Sequence, residues 1–79
     1  MAFCIDITKV TEDDNSATYS YTGAPGHRGL LRIHKQTGEI EMLETSPGDE
    51  EGNFYARASA KLRKHWRAGR FPDKALWAS

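Results

Sequence analysis

The segment NFYARASAKLRKHWRAGR, residues 53–70, decides the fold because it has the periodicity of a long helix. When it is wound at about 100° per residue, one arc collects most of its apolar side chains. That arc carries Phe54, Tyr55, Ala58, Leu62, His65, Trp66 and Gly69. The opposite arc carries Arg57, Arg63, Lys64 and Arg67, and Lys61 lies at the border. The pattern predicts an amphipathic helix whose apolar side packs on a core and whose cationic side faces solvent.

Signals at both ends of this segment predict a helix over roughly residues 48–69. Ser46 stands before a proline and is followed three residues on by Asp49, which is typical of an N-cap, a first-turn proline and an acidic third position. Two glycines weaken this first turn, so we expect the regular helix to begin near Gly52. Gly69 suits the left-handed position that ends a helix, and a proline follows it.

The residues before the helix alternate in polarity and predict strands at roughly 2–10, 16–22, 29–35 and 39–45. In the first pair, we expect a hairpin that sets Ile7 opposite Tyr19. The same register sets Ile5 opposite Tyr21, and both apolar sets then lie on one face. Three glycines and a proline predict a loop over residues 23–29.

The third and fourth strands are predicted to form a second hairpin, with Gly38 in the left-handed position of its turn. The register of this hairpin pairs His34 with Glu39, Ile33 with Ile40, Arg32 with Glu41 and Leu31 with Met42. One face is then apolar, and the other has cross-strand pairs of opposite charge. A slip of one residue would turn every side chain to the wrong face, so the pattern specifies the register.

Together these elements predict a single α+β domain over residues 1–79. Its architecture is a four-stranded antiparallel β-meander, with one long C-terminal helix packed across one face and a short tail at residues 70–79. The predicted core contains Phe3, Ile5, Ile7, Tyr19, Tyr21, Leu31, Ile33, Ile40, Met42, Phe54, Ala58, Leu62 and Trp66. A chain this short buries only about 60–65% of its unfolded surface, which leaves little room for an enclosed catalytic cleft.

Charge is balanced overall but divided along the chain. Residues 1–52 have four basic and ten acidic side chains, a net charge of −6. Residues 53–79 have seven basic side chains and one acidic side chain, a net charge of +6. Either the two halves neutralise each other within one fold, or the basic half is a surface for an acidic partner.

Composition also bounds the location of the protein. Cys4 is the one cysteine, so no internal disulfide is expected. The first ten residues include Asp6 and Lys9 and lack a long apolar run, so no signal peptide is predicted. No stretch approaches the length of a membrane span. We therefore predict a cytoplasmic protein without a membrane partner.

No catalytic, cofactor-binding or metal site is predicted, and we expect a protein that is not an enzyme. His27, His34 and His65 are far apart in sequence and match no zinc spacing, and Cys4 does not complete one. Cys4 also has no neighbouring base that would make it a nucleophile. We expect His65 to be a partly buried residue beside the core.

A basic surface is the first candidate for function. Its residues are Arg57, Arg63, Lys64, Arg67 and Arg70. They can lie along a phosphate backbone, but the near-neutral isoelectric point and the lack of a nucleic-acid motif argue against this partner. Nucleic acid is therefore the alternative partner.

An apolar anchor in the tail is the second candidate, formed by Phe71, Leu76 and Trp77. These side chains either cover the sheet or stay exposed as an anchor for a second chain. An open sheet edge also offers backbone groups for pairing. The favoured hypothesis is a protein–protein interaction module that binds an unknown protein partner or a second copy of itself.

Overall fold

The computed structural model describes residues 4–24 and 26–78, and in these residues the chain forms five strands and one helix. The strands are β1 (Cys4–Glu12), β2 (Ser16–Ala24), β3 (His27–His34), β4 (Ile40–Glu44) and β5 (Lys74–Ala78). The helix is α1 (Asn53–Arg67). No helix in this part of the chain is long and apolar enough to span a bilayer.

The strands form one antiparallel sheet in the order β4-β3-β2-β1-β5. The α+β class, the antiparallel sheet and the covering helix are confirmed, but the prediction of four strands is wrong. The tail predicted at residues 70–79 contains β5, which pairs with β1 from Cys4 opposite Ala78 to Thr8 opposite Lys74. Residues 75–78 are all apolar and do not alternate in polarity, so the sequence gives no strand signal here before the partner strand is known.

The β1–β2 hairpin keeps its predicted face but shifts its register by two residues. Ile7 lies opposite Tyr21 rather than Tyr19, and Tyr19 lies opposite Lys9. The pairing is interrupted after Lys9, where Val10 bulges out with 47% of its surface exposed. A shift of two leaves each side chain on its original face, so alternation alone does not distinguish the two registers.

The β3–β4 hairpin has the predicted register. It pairs Ile33 with Ile40, Arg32 with Glu41 and Leu31 with Met42, and the amide of His34 bonds the carbonyl of Glu39. Gly38 takes the expected left-handed conformation in the turn, with φ of 75°. Met42 is nevertheless 39% exposed, because α1 lies across β1, β2, β3 and β5 and leaves the β4 end of this face open.

The loop predicted over residues 23–29 is mostly strand. Gly23 lies in β2 beneath the ring of Phe54, and Gly29 lies in β3 beneath the ring of Tyr21. An added Cβ would come within 2.6 Å of the first ring and 2.4 Å of the second. Both glycines admit an aromatic ring to the sheet surface. The pairing of β2 with β3 also shifts at Gly23, as it does at a β-bulge.

The core lies between the sheet and α1. Its buried apolar side chains are Ile5, Ile7, Ala17, Tyr19, Tyr21, Leu31, Ile33, Ala58 and Leu62. Ile40, Phe54 and Trp66 are half-buried against this cluster. The predicted core is thus largely correct, except that Met42 is exposed. Phe3 lies outside the described residues.

The regular helix begins at Asn53, as the two glycines predict, and not at the outer bound of residue 48. The carboxylate that caps its first turn belongs to Asp49 rather than to Ser46. The buried carboxylate of Asp49 accepts hydrogen bonds from the amides of Phe54 at 3.0 Å and Tyr55 at 3.1 Å. A left-handed glycine at the N-cap position turns the loop so that this carboxylate faces the first turn. Ser46 is fully buried instead of capping the helix.

The predicted glycine stop of α1 is confirmed. Gly69 has φ of 74°, and its amide donates to the carbonyl of Trp66 at 2.9 Å. The amide of Arg70 donates to the carbonyl of His65 at 2.9 Å. These two bonds form the Schellman pattern, which ends the helix before the chain continues into β5.

Candidate functional site

The predicted basic surface is present on the solvent side of α1. Its exposed members are Arg63, Lys64, Arg67 and Arg70. None of these four takes part in an ion pair between described residues. Arg57 is different, because its half-buried side chain donates to the carbonyl of Asn53 at 3.1 Å and lies 5.3 Å from the ring centre of Trp77.

The ion pairs of the described chain gather on the sheet instead. Glu12 binds both Lys9 and Lys35, and these bonds hold the pKa of the Glu12 carboxyl below its ordinary value, with the bond from Lys35 as the larger cause. Lys9 also lies 3.3 Å from Asp73. Among the described residues, the acidic side chains of 1–52 that form ion pairs are Glu12 and Glu41, and both pair with basic residues of the same half. The exposed cations of α1 therefore keep their charge available to a partner.

The three predicted apolar anchors lie apart. Phe71 is half-buried against the core, with the ammonium group of Lys35 5.1 Å from its ring centre. Trp77 is half-buried on the helix-covered face of β5. Leu76 points to the opposite face and is 47% exposed. The structure therefore brings Trp77 and Leu76 to one strand and places Phe71 elsewhere.

A shallow cleft of about 300 Å³ lies between α1 and β5. We call it the β5 groove, and it is lined by Ala60, Lys61, Lys64, Trp77 and Ala78. Lys61 is absent from the candidate residues predicted above, although its place at the border of the apolar arc is the signal that marks it. Neither Lys61 nor Lys64 forms an ion pair with another described residue.

The groove runs beside an open sheet edge. In the described sheet β5 pairs with β1 on one side, and no strand lies on its other side. An edge strand presents unpaired backbone N–H and C=O groups to whatever lies next to it. A further strand at this edge would have its helix-side residues next to Lys61, Lys64 and Trp77, and its other residues next to Leu76.

The second open edge of the sheet is β4, and its chemistry is opposite. We call Glu41, Met42, Leu43 and Glu44 the β4 edge, and all four are exposed. The carboxylate of Glu41 lies 3.0 Å from Arg32 and 3.4 Å from His34, so His34 meets Glu41 rather than its predicted partner Glu39. The sequence pattern predicts Met42 in the core and therefore does not predict this exposed edge.

A second cleft, of about 460 Å³, lies between the β1–β2 and β3–β4 turns. Its lining is polar and consists of Asp14, Asn15, His34, Lys35, Gln36, Thr37 and Glu39. No group of three or more His, Cys, Asp or Glu side chains suited to a metal ion occurs in the described part of the chain. The cleft offers hydrogen-bonding groups, and none of its lining residues is hydrophobic.

The remaining reactive side chains are dispersed. His65 is half-buried beside the core, as expected, and burial lowers the pKa of its imidazole, with smaller contributions from Lys61 and Arg70. Cys4 is exposed at the start of β1, opposite Ala78. The imidazole and the thiol therefore lie on opposite faces of the sheet.

The chain matches no protein-family model, and searches of curated proteins and of solved structures gave no significant match.

Proposed function

We propose that this protein is a small non-enzymatic interaction module of the cytoplasm that binds an extended, acidic segment of a protein partner along β5. The observation that carries this proposal is the open edge of β5 beside the cations of the β5 groove. The arrangement combines backbone pairing with charge, which is how strand-addition domains achieve affinity and selectivity.

Backbone pairing supplies the first part of the interaction. β5 comprises Lys74–Ala78, long enough for a short extended segment to pair along it. It contains no proline, so each of its residues has an N–H group as well as a carbonyl. Because β1 occupies one side of β5, a new strand would extend the sheet on the other side.

Charge supplies the second part. The half-buried Lys61 and the exposed Lys64 line the β5 groove together with Trp77. Side chains of an added strand that point toward α1 would meet these ammonium groups. We therefore expect acidic residues at every second position of the partner segment, because strand side chains alternate between faces.

Apolar contact on the other face supplies the third part. Leu76 is exposed on the face away from α1, where the alternate side chains of an added strand would lie. Apolar residues there would cover Leu76, and each Å² of apolar surface removed from water would stabilise the complex by roughly 25 cal/mol. The expected ligand thus alternates acidic and apolar residues.

A nuclear magnetic resonance titration tests this proposal. An extended peptide that alternates glutamate and valine should shift the backbone amides of residues 74–78, and a peptide with lysine in place of glutamate should not. The double variant Lys61→Glu/Lys64→Glu should lose binding, whereas the matched variant Arg63→Glu/Arg67→Glu should retain it. Shifts confined to α1, with the amides of β5 unchanged, would rule out strand addition.

A second candidate function is nucleic-acid binding, favoured by the exposed positions of Arg63, Lys64, Arg67 and Arg70 without ion pairs among the described residues. Such cations release counterions when they contact phosphates, so the affinity would fall steeply with salt. Fluorescence anisotropy with single- and double-stranded DNA and RNA at low salt tests it. Here Arg63→Glu/Arg67→Glu should abolish binding, which is the opposite of its expected effect on the peptide.

A further inference from the structure

The exposed apolar side chains of this protein concentrate on its two open edges. Among the described residues, the large apolar side chains that stay exposed are Val10, Met42, Leu43 and Leu76. Val10 lies at the bulge of β1, and the other three lie on β4 and β5. Both edge strands contain five residues, and the regular part of β4 before the register shift at Leu43, residues 40–42, can pair along β5.

We propose that the acidic segment that binds along β5 is β4 of a second copy of this chain. This inference rests on the proposed function and names its partner. The protein would then associate head to tail, with the β4 edge of one copy seated against β5 and the β5 groove of the next.

The two faces of the strands match in one orientation. On β4, Met42 points to the helix-covered face with Leu31, and Glu41 points to the outer face with Arg32. If the second copy is turned over, its Glu41 faces Lys61 and Lys64 of the first copy. Its Met42 then lies on the face that carries Leu76.

The charge of Glu41 is available to such a partner. Its bond to Arg32 is a surface ion pair, because the side chains of the two residues are 47% and 40% exposed. Surface pairs of this kind are weak and exchange readily with other partners. Glu44, at the end of the same strand, lies opposite Leu30 and adds a second carboxylate on the outer face of β4.

Symmetric edge pairing is disfavoured by the same charges. Two β5 edges would bring together Lys74 and the lysines of two β5 grooves, and two β4 edges would bring together Glu41 and Glu44 of both copies. Like charges that gather at one contact repel each other. A head-to-tail contact uses different patches on each copy, so it produces rings or open chains rather than closed dimers.

Sedimentation velocity over a range of protein concentrations tests the inference. The wild-type protein should form species larger than dimers as its concentration rises, and these should dissociate when salt is added. Met42→Lys and Leu76→Glu should each abolish association, because each puts a charge at the contact of Met42 with Leu76. Both positions are exposed, so far-ultraviolet circular dichroism should show that both variants fold.

Mixing the two variants provides the decisive control. Each variant alone should be monomeric, and an equimolar mixture should associate again, because the unaltered β4 of Leu76→Glu can form the wild-type contact with the unaltered β5 of Met42→Lys. If Leu76→Glu alone associates like the wild type, the contact joins two β4 edges. If Met42→Lys alone does so, it joins two β5 edges. Either result would overturn the head-to-tail arrangement.

The peptide titration separates this inference from the proposed function. Met42→Lys leaves β5 and the β5 groove intact, so this variant should still bind the acidic peptide. A wild-type protein that stays monomeric at high concentration but binds the peptide would refute self-association and leave the proposed function standing. Failure of the folded Met42→Lys variant to bind the peptide would refute the proposed function itself.

Discussion

The indole Nε1 of Trp66 donates a hydrogen bond of 2.7 Å to the carbonyl oxygen of Lys35. This bond joins the last turn of α1 to the β3–β4 turn, which lies 31 residues earlier in the chain. The same indole ring packs on Gly38 and is half-buried. Its N–H group therefore has a hydrogen-bond partner while its apolar surface lies against the sheet. The C-terminal half of α1 is thereby held against the sheet.

This contact makes Gly38 more sensitive to substitution than its backbone conformation alone requires. Gly38 and Gly52 have the same φ of 75°, but an added Cβ lies 2.7 Å from Trp66 at Gly38 and meets nothing within 4 Å at Gly52. A left-handed alanine costs about 1–3 kcal/mol of stability at either position. Gly38→Ala must also displace Trp66, so its free energy of unfolding in urea should fall further than that of Gly52→Ala. Equal losses would contradict this packing.

Asp49 should contribute to stability through its bonds to the first turn of α1. Asp49→Ala removes the acceptor for the amides of Phe54 and Tyr55, and the loss of such a cap costs about 0.5–2 kcal/mol. Thermal unfolding should show a lower midpoint for this variant. Glu50→Ala is the matched control, because this neighbouring carboxylate is exposed and its removal should change stability little. If Ser46 capped the helix instead, Asp49→Ala would leave the midpoint unchanged and Ser46→Ala would lower it.

Tyr19 should make the stability fall at high pH. Burial raises the pKa of its hydroxyl from 10.0 to about 12, and the hydroxyl donates to the carbonyl of Pro72 at 2.8 Å. Between these pH values the unfolded chain releases the proton and the folded chain keeps it, so unfolding becomes easier as the pH rises from 10 toward 12. Urea unfolding measured across this window should show a steeper loss for the wild type than for Tyr19→Phe.

The same Tyr19→Phe variant should lose about 0.5–1.5 kcal/mol at neutral pH, because it removes one hydrogen bond. Its pH profile is compared with that of the wild type in the same buffers, because the ionisation of the other tyrosines affects both proteins alike. Identical slopes between pH 10 and 12 would mean that Tyr19 ionises as freely in the folded chain as in the unfolded chain.

Leu62 should be the most sensitive leucine of α1 and β5. It is 2% exposed at the centre of the helix, and Leu62→Ala should cost roughly 2–5 kcal/mol. Leu76→Ala removes the same atoms from a side chain that is 47% exposed, and in dilute protein it should cost less than about 0.5 kcal/mol. Chemical denaturation measures both values. Similar losses would mean that α1 does not pack on the sheet through Leu62.

Periodicity predicts those elements whose partners are near in sequence. The apolar arc of α1 identifies Ala58 and Leu62 as buried, and the β3–β4 pairs are correct because a short turn links the strands. Gly69 likewise ends the helix through bonds to residues within one turn of it. Each of these features depends on local backbone geometry, which the residue pattern encodes.

Other features depend on contacts that the pattern does not contain. The register of β1 depends on the bulge at Val10. The glycine at position 23, which suggests a loop in the sequence, lies in a strand where the ring of Phe54 packs on it. Met42 is exposed because α1 lies mainly across the other four strands and meets β4 at Ile40, where the hydroxyl of Tyr55 donates to the carbonyl oxygen at 3.4 Å. Its alternation is nevertheless that of a core residue. The candidate site also depends on such contacts, because Lys61 of α1 and Trp77 of β5 line one groove only when these two elements lie side by side.

By itself the sequence determined that this chain makes an amphipathic helix over an antiparallel sheet, because period and turn chemistry act between neighbouring residues. The tertiary structure alone decided that residues 74–78 form a fifth strand and that the two sheet edges differ in charge. Residues 75–78 are all apolar and lack the alternation that predicts a strand, and they form one because β1 offers hydrogen bonds. The charge at each edge of the sheet depends on which strand is outermost there, β4 on one side and β5 on the other.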